Sequence, residues 1–348
     1  MEEPAIRLEP VRFADIEGWA KDDHAAALAA LRKSCRRKKS AGSPACQALA
    51  GLGDSAGREA ARKFFEAHYV PHRVVAEKPG LVTGYYEPEV NGSREPNEKF
   101  QVPVYRRPDD LVQLKPDQLR AFFNDTRSVM RRDGDELVPY YTRAEIETGA
   151  LANKGLELLY LDDPVELFFM QIQGSGRVRL TDGSWVRLGY AAKNGHSYKS
   201  IGKLLAERGE KPQGGLTMEG LKSWLRADPK RGQALMHENK SYVFFRELPE
   251  AEAGDGPIGA QAVPLTPGRS LAVDPIYHAL GTPVFVIAPE APTPDGKPFR
   301  RLMIAQDVGS AIRGRERGDI YWGSGPEAGA IAGVTKAKAR FYVLLPKR

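Results

Sequence analysis

The stretch RRLMIAQDVGSAIRGRERGDIYWGSG, Arg300 to Gly325, decides how this chain is read. It opens with the apolar run Leu302-Met303-Ile304-Ala305, the pattern of a buried strand. Asp307 follows in Gln306-Asp307-Val308-Gly309-Ser310. A small-residue turn and the basic run Arg313 to Arg317 lead to Gly318-Asp319-Ile320-Tyr321-Trp322-Gly323. Two carboxylates therefore stand at the borders of two short β segments. Gly309, Gly314, Gly318, Gly323 and Gly325 let the backbone turn and a ligand come close. A carboxylate among glycines and aromatics suits acid catalysis over a sugar or another polar ring. The competing explanation is an aspartate that caps a turn through its own backbone hydrogen bonds.

A third element joins them. Val273-Asp274-Pro275 is followed by Leu280-Gly281-Thr282-Pro283-Val284-Phe285-Val286. The order VDP…LGTPVFV, AQDVGSAI, RGDIYWGSGPEAG resembles the three-aspartate (3D) domain that ends the membrane-bound lytic transglycosylase A (MltA) family of peptidoglycan-cleaving enzymes. Its aspartates are matched by Asp274, Asp307 and Asp319. The resemblance continues upstream in Thr83-Gly84-Tyr85-Tyr86-Glu87-Pro88, Gln171-Ile172-Gln173-Gly174-Ser175-Gly176, Tyr190-Ala191-Ala192-Lys193-Asn194-Gly195 and Asn239-Lys240-Ser241-Tyr242-Val243-Phe244-Phe245. Each string is weak alone; their common order, from Leu81 to the C-terminus, carries the resemblance. Ala279 departs from it, since relatives usually have proline there; that bears on loop stiffness, not chemistry.

Composition sets bounds. A chain of 348 residues exceeds one ordinary core, so two domains are expected. Its 35 Gly and 26 Pro with 41% hydrophobic residues suit a strand- and loop-rich fold. The formal charge of +6 fits an anionic partner such as peptidoglycan with its peptide carboxylates, or a basic surface. No nucleic-acid recognition motif is present, and Arg36-Arg37-Lys38-Lys39 reads as a solvated face. Cys35 and Cys46 are the only cysteines; they offer either one disulfide or two buried thiols, and no zinc-ligand set. Neither a metal nor a cofactor is expected. No apolar run is long enough for a membrane span, and Met1-Glu2-Glu3-Pro4 does not read as a signal peptide. A member of the resembled family needs export, so the numbered chain is expected to be a mature or trimmed form. The expected place is the periplasm or the outer membrane.

From the start, Ile6–Phe13 reads as extended and Asp15–Ala20 as a helix start. Asp22–Lys39 and Gly57–His68 read as helices, the first with Leu28, Leu31 and Cys35 at helical spacing. No chemistry is assigned to this segment. Gly80–Tyr86 reads as a strand whose paired Tyr85 and Tyr86 either offer a ring to stack on a sugar or are two barrel residues, one in and one out by strand alternation. Phe100–Tyr105 is another strand. Thr142 and Glu145 form a capping-box pattern. Leu156–Leu161 and Glu166–Ile172 read as apolar runs, the second as a strand entering Gln173-Gly174-Ser175-Gly176. On a strand Gln171 and Gln173 face one side and could read sugar hydroxyls or acetamides. Gly174, Ser175 and Gly176 would then present N–H groups and a hydroxyl, or be a plain turn. This loop is neither a phosphate loop nor a nucleophile elbow. Arg177–Leu188 reads as a hairpin around Asp182-Gly183. Tyr190–Tyr198 is a polar loop whose Lys193, Asn194 and Tyr198 are candidate substrate contacts. Helices follow at Ser200–Arg208, Leu216–Leu225 and Gly232–His237. Asn239–Arg246 reads as a strand returning to the first domain.

The expected class is α+β, mainly β with helices. A barrel domain at 1–105 and 245–348, with a helical part at about 15–68 and the three-aspartate region at about 261–347, is interrupted by a β/α insert at 106–244. The resemblance implies a double-psi β-barrel and a groove for a glycan strand. It also implies that Asp319 is the single acid/base, cleaving between N-acetylmuramic acid and N-acetylglucosamine to leave a 1,6-anhydro end. Asp307 is the second candidate catalyst, and Asp274 a supporting or sugar-touching residue. Burial beside Tyr321 and Trp322, or a charged Asp307, would raise the Asp319 pKa; Arg313 to Arg317 would lower it. The alternatives are a glycan-binding barrel without catalysis and a hydrolase that pairs Asp307 with Asp319. A monomer is expected, outer-membrane associated or working with other cell-wall enzymes.

Overall fold

The computed structural model describes residues 6–37, 42–53, 56–114, 129–249 and 256–347. Along the chain the strands are β1 (Leu8–Pro10), β2 (Tyr69–Val74), β3 (Gly80–Glu87), β4 (Glu89–Ser93), β5 (Val102–Tyr105), β6 (Leu111–Gln113), β7 (Val129–Asp133), β8 (Glu136–Pro139), β9 (Glu157–Leu161), β10 (Ser175–Leu180), β11 (Trp185–Lys193), β12 (Val243–Glu247), β13 (Ser270–Val273), β14 (Pro283–Ala288), β15 (Phe299–Val308), β16 (Arg317–Ser324) and β17 (Lys336–Pro346). They fall into two compact units, Met1–Tyr86 with Gly254–Arg348, and Glu87–Ala253.

In the first unit the order β17-β14-β15-β13-β16-β3 closes on itself through β17–β3 pairing, which makes a six-stranded barrel; β2 and β1 extend it from β17. The α+β class is therefore as expected, with a closed barrel. Short β13 lies between the two aspartate strands, parallel to β15 and antiparallel to β16. Leu302 and Ile304 of β15 and Phe285 and Ile287 of β14 face the helices His24–Cys35, Pro44–Ala50 and Arg58–His68. Asp23 caps the first of these helices. In place of the expected helix start at Asp15–Ala20 stand two short 3-10 turns, Phe13–Asp15 and Trp19–Lys21, the second with Trp19 buried. The helices are tied to the barrel by a buried bidentate pair, Arg269 to Asp22 at 2.9 Å on both arms. Asp22 also accepts the Leu302 N–H at 2.7 Å. Cys35 and Cys46 form a disulfide, which settles the choice left open by the sequence.

The second unit is a six-stranded sheet in the order β12-β11-β10-β4-β9-β5 and a three-stranded meander β6-β7-β8. A bridge between Arg106 and Phe245 connects the two edges of the larger sheet. Strands β4 and β5, expected in the barrel domain, belong here because β4 pairs with β10 and β9 and β5 pairs with β9. Strand β12, expected to return to the barrel, pairs with β11. The hairpin turns at Gly183 (φ 87°) as expected.

The run Glu166–Ile172 is not a strand. Residues Pro164–Gln173 are a helix, capped by Asp163, started by proline in its first turn and ended by left-handed Gly174. Gln171 and Gln173, two apart, therefore leave different faces. The helices of this unit, Ile201–Glu207, Met218–Ala227 and Pro229–His237, bury Leu204, Leu225 and Leu235 against Phe168 and Phe169.

Candidate active site

Strand pairing brings the two aspartates together. Ala272 of β13 is the cross-strand partner of Asp307 on one side and of Asp319 on the other. Paired residues share a sheet face, so both carboxylates rise from one face with a methyl group between them. Their strands are two spacings apart, roughly 10 Å at the backbone. Tyr85, Tyr321 and Ile312 form an apolar cluster on Ala272, and the Tyr85 and Tyr321 rings lie 5.4 Å apart.

Strand β3 supplies the hydroxyls. Thr83 and Tyr85 are two apart and share a face. The Thr83 hydroxyl donates to Asp319 Oδ1 at 2.6 Å, and Tyr85 donates to Asp307 Oδ2 at 2.9 Å. Thr83 also accepts from Arg317 Nη2 at 2.9 Å, which leaves its single proton for Asp319. The other Arg317 nitrogen donates to the carbonyl of Gly318. Asp307 is held further by the N–H groups of Ala260 and Val308, both 2.9 Å from Oδ1.

Burial is the main cause that raises the Asp319 carboxyl to about 6, helped by the charge of Asp307 and opposed by the Thr83 hydrogen bond and by Arg317. Burial also raises Asp307, against the hydrogen bonds from Ala260, Tyr85 and Val308. Both residues as a whole keep intermediate exposure. Of the basic run, Arg317 alone acts on Asp319: Arg313 reaches Asp274 at 3.4 Å, and Arg315 lies over Tyr277. Tyr321 shares the Asp319 face, whereas Trp322 alternates to the other, where it donates to Thr335 at 3.0 Å and meets Phe299 edge-on.

Other expected site residues are placed differently. Asp274 is 2% exposed and accepts from the N–H groups of Gly314 at 2.8 Å and Ile276 at 3.2 Å. Its carboxylate thus fastens the β15–β16 loop to the end of β13 and faces protein groups. Tyr85 and Tyr86 are both buried, so neither ring is turned out; the Tyr86 ring lies where a side chain on Gly329 would stand. Gln171 is buried and donates to the Val243 carbonyl at 3.3 Å. Asn194 is fully buried; it donates to the carbonyls of Tyr141 and Lys240, both at 2.8 Å, and accepts the Tyr242 N–H at 2.9 Å. These two amides hold backbone. Gln173, Gly174 and Ser175 mark the helix-to-β10 junction, and a Cβ on Gly176 would stand 2.3 Å from Met170 Sδ, so a larger residue there would displace that side chain. Lys193 ends β11, half-buried. Tyr198 lines a cavity of about 780 Å³ in the second unit, with His196, Lys199, His237, Glu238 and Lys240.

Sequence reasoning missed Thr83 and Ala260 as site groups, and named Arg317 only as part of the run Arg313 to Arg317. Thr83 was legible in principle, because strand alternation puts it on the face of Tyr85. Among the described residues no cluster of three or more His, Cys, Asp or Glu is placed to hold a metal ion.

Residues 81–246 match the family described as the MltA specific insert domain, and residues 269–345 match the 3D domain. Membrane-bound lytic murein transglycosylase A of Escherichia coli K12 is 35% identical over 271 residues, 75% of this chain and 64% of that protein. The chain thus matches less than two thirds of the length of this curated relative. The crystal structure of a membrane-bound lytic murein transglycosylase from Agrobacterium tumefaciens is 37% identical, covers 97% of either chain and superposes with a TM-score of 0.89. MltA from Neisseria gonorrhoeae gives 34% identity, 99% and 96% coverage and 0.82. E. coli MltA with bound chitohexaose gives 29%, 100% and 96%, and 0.73. Two domain matches in order and a solved relative aligned along nearly its whole length place the chain in the MltA family of lytic murein transglycosylases.

Proposed function

We propose that the chain cleaves the β-1,4 bond between N-acetylmuramic acid and N-acetylglucosamine in peptidoglycan and leaves a 1,6-anhydro end, with Asp319 as its only acid/base. The observation that carries this is the contrast between the two carboxyls. Asp319, at about 6, is protonated in a useful fraction near neutral pH. Asp307 has both oxygens engaged, by two backbone N–H groups and the Tyr85 hydroxyl. A carboxylate so tied is a poor nucleophile or water base, which the paired-carboxylate route requires.

The protonated Asp319 gives its proton to the glycosidic oxygen as the C1–O bond breaks. The muramic C6 hydroxyl oxygen then bonds to C1, and its proton passes to the Asp319 carboxylate. Asp319 is regenerated and no water is consumed. Thr83 holds the carboxyl through both proton transfers. Asp307 contributes negative charge near the developing cation and raises the Asp319 pKa. Asp274 acts at a distance, by fixing the loop between the two aspartate strands.

In the second unit Lys199, Lys240 and Tyr198 line a cavity of a size that suits ligands. Peptide carboxylates carried by the glycan would meet Lys240 there, which makes no ion pair among the described residues. The relatives' names point to the cell envelope, so we place the protein in the periplasm or at the outer membrane. No helix among the described residues is long and apolar enough to cross a membrane. Digestion of peptidoglycan in ¹⁸O-labelled water tests the reaction type. Unlabelled anhydro ends support the proposal; label at the new end assigns hydrolysis instead.

A further inference from the structure

Gln306 is the extra residue of a β-bulge. Ala305 pairs with Leu271 and Asp307 with Ala272, so one residue on β15 has no partner on β13. Without the bulge, alternation would turn Asp307 away from the face that carries Gln306 and Ile304. With it, Gln306 and Asp307 are consecutive and share one face, Gln306 toward the helices and Asp307 toward Tyr85. Bulges of this kind re-aim side chains and are frequent beside active sites.

The bulge is clamped by side chains outside the catalytic set. The fully buried Gln306 amide donates to the Ala30 carbonyl at 2.9 Å and to Ser34 Oγ at 2.8 Å. It accepts from Ser270 Oγ at 2.6 Å. The Ser34 hydroxyl, on a residue 1% exposed, donates to Gln261 Oε1 at 2.7 Å. Gln261 also donates its N–H to the Gln306 carbonyl at 3.0 Å. The preceding residue, Ala260, is the one whose N–H holds Asp307. The following residue, Ala262, has φ 59°, a left-handed conformation that a non-glycine residue keeps only where its surroundings enforce it. The Ser34 hydroxyl, at the end of the helix His24–Cys35, thus joins both ends of the Asp307 cradle, the bulge and the 259–263 turn. The neighbouring Cys35 is stapled to Cys46.

We infer that Ser34, Gln261 and Gln306 are positioning residues for Asp307, which gives the end of the helix His24–Cys35 a positioning role beside packing. The inference rests on the acid/base reading above. If the clamp loosens, Asp307 loses the Ala260 N–H, ionises less readily and no longer supports a high pKa at Asp319.

The test uses Ser34→Ala and Gln261→Ala in the full chain, with Leu28→Val as a control that thins the same helix core without touching the clamp. Turnover of peptidoglycan to anhydro products is followed from pH 4 to 9, beside thermal stability. The expected result is a kcat about tenfold lower in both clamp variants, below the roughly 100-fold that an ångström of misplacement can cost. Their alkaline limb moves to lower pH, and KM changes little. Leu28→Val is expected to lower stability with an unchanged pH profile. Clamp variants that lose stability alone, with kcat and profile matching Leu28→Val, overturn the inference. A wild type that yields no anhydro product overturns the acid/base reading itself, a separate outcome.

Discussion

Replacing Asp319 by asparagine should stabilise the fold in a pH-dependent way while removing activity. The carboxyl is raised from 3.8 to about 6, mainly by burial, so the folded state disfavours its ionised form. Below about pH 4 the group is protonated in both folded and unfolded chains and no penalty exists. As pH rises through the folded pKa, the unfolded chain binds fewer protons than the folded one, and stability is lost. The full difference corresponds to roughly 3 kcal/mol. Asp319 is only partly buried, so solvent screening reduces this to about 1–2 kcal/mol. Asparagine keeps an oxygen for the Thr83 hydroxyl and has no charge to desolvate. The variant is therefore expected to melt several degrees above wild type at pH 8, at about 2–4 °C per kcal/mol for a domain of this size, and to match it at pH 4. Thermal unfolding at both pH values is the assay. An equal difference at pH 4 and pH 8, or a destabilised variant at pH 8, would refute burial as the cause of the high pKa.

Further predictions concern the surrounding groups. Thr83→Val removes a hydrogen bond to an ionisable group, worth about 1.5–3 kcal/mol, so the alkaline limb of kcat should rise by about one pH unit while its plateau falls; a pH–rate profile checks both. Cys35→Ser with Cys46→Ser opens a short covalent loop and should reduce stability by about 2–3 kcal/mol in denaturant titration. Lys240→Ala should raise KM several-fold on peptide-bearing glycan strands and leave KM on peptide-stripped strands unchanged; equal effects on both would remove the peptide role of the cavity.

Several of these groups could be read from sequence and several could not. Asp307 and Asp319 stood out because short strands, glycines and a shared motif order surround them. The barrel strands were legible as apolar runs bounded by turns. The helix Pro164–Gln173 was misread because VELFFMQ is apolar on nearly every face, which hides a helical period. Its true signals were punctuation, Asp163-Pro164 at the start and Gly174 at the end. The insert boundary was misplaced because β4 and β5 alternate like barrel strands, and their partners β9 and β10 lie far along the chain. Thr83 meets Asp319 across 236 residues, and Ser34 meets Gln306 across 272. Such pairs depend on register, and the bulge at Gln306 exists only once β13 and β15 are side by side. Asn194 shows the converse: a polar residue in a polar-looking loop proves fully buried, because three backbone groups need it.

The most direct test of Asp319 as the acid/base is the mass spectrum of products released from purified peptidoglycan by wild type and by Asp319→Asn, with both confirmed folded. The account predicts anhydro-muropeptides from wild type and at least a hundredfold fewer from the variant, the lower end of what a general acid/base contributes. Anhydro products from Asp319→Asn at a rate near wild type would contradict it and move the chemistry to another group, Asp307 first.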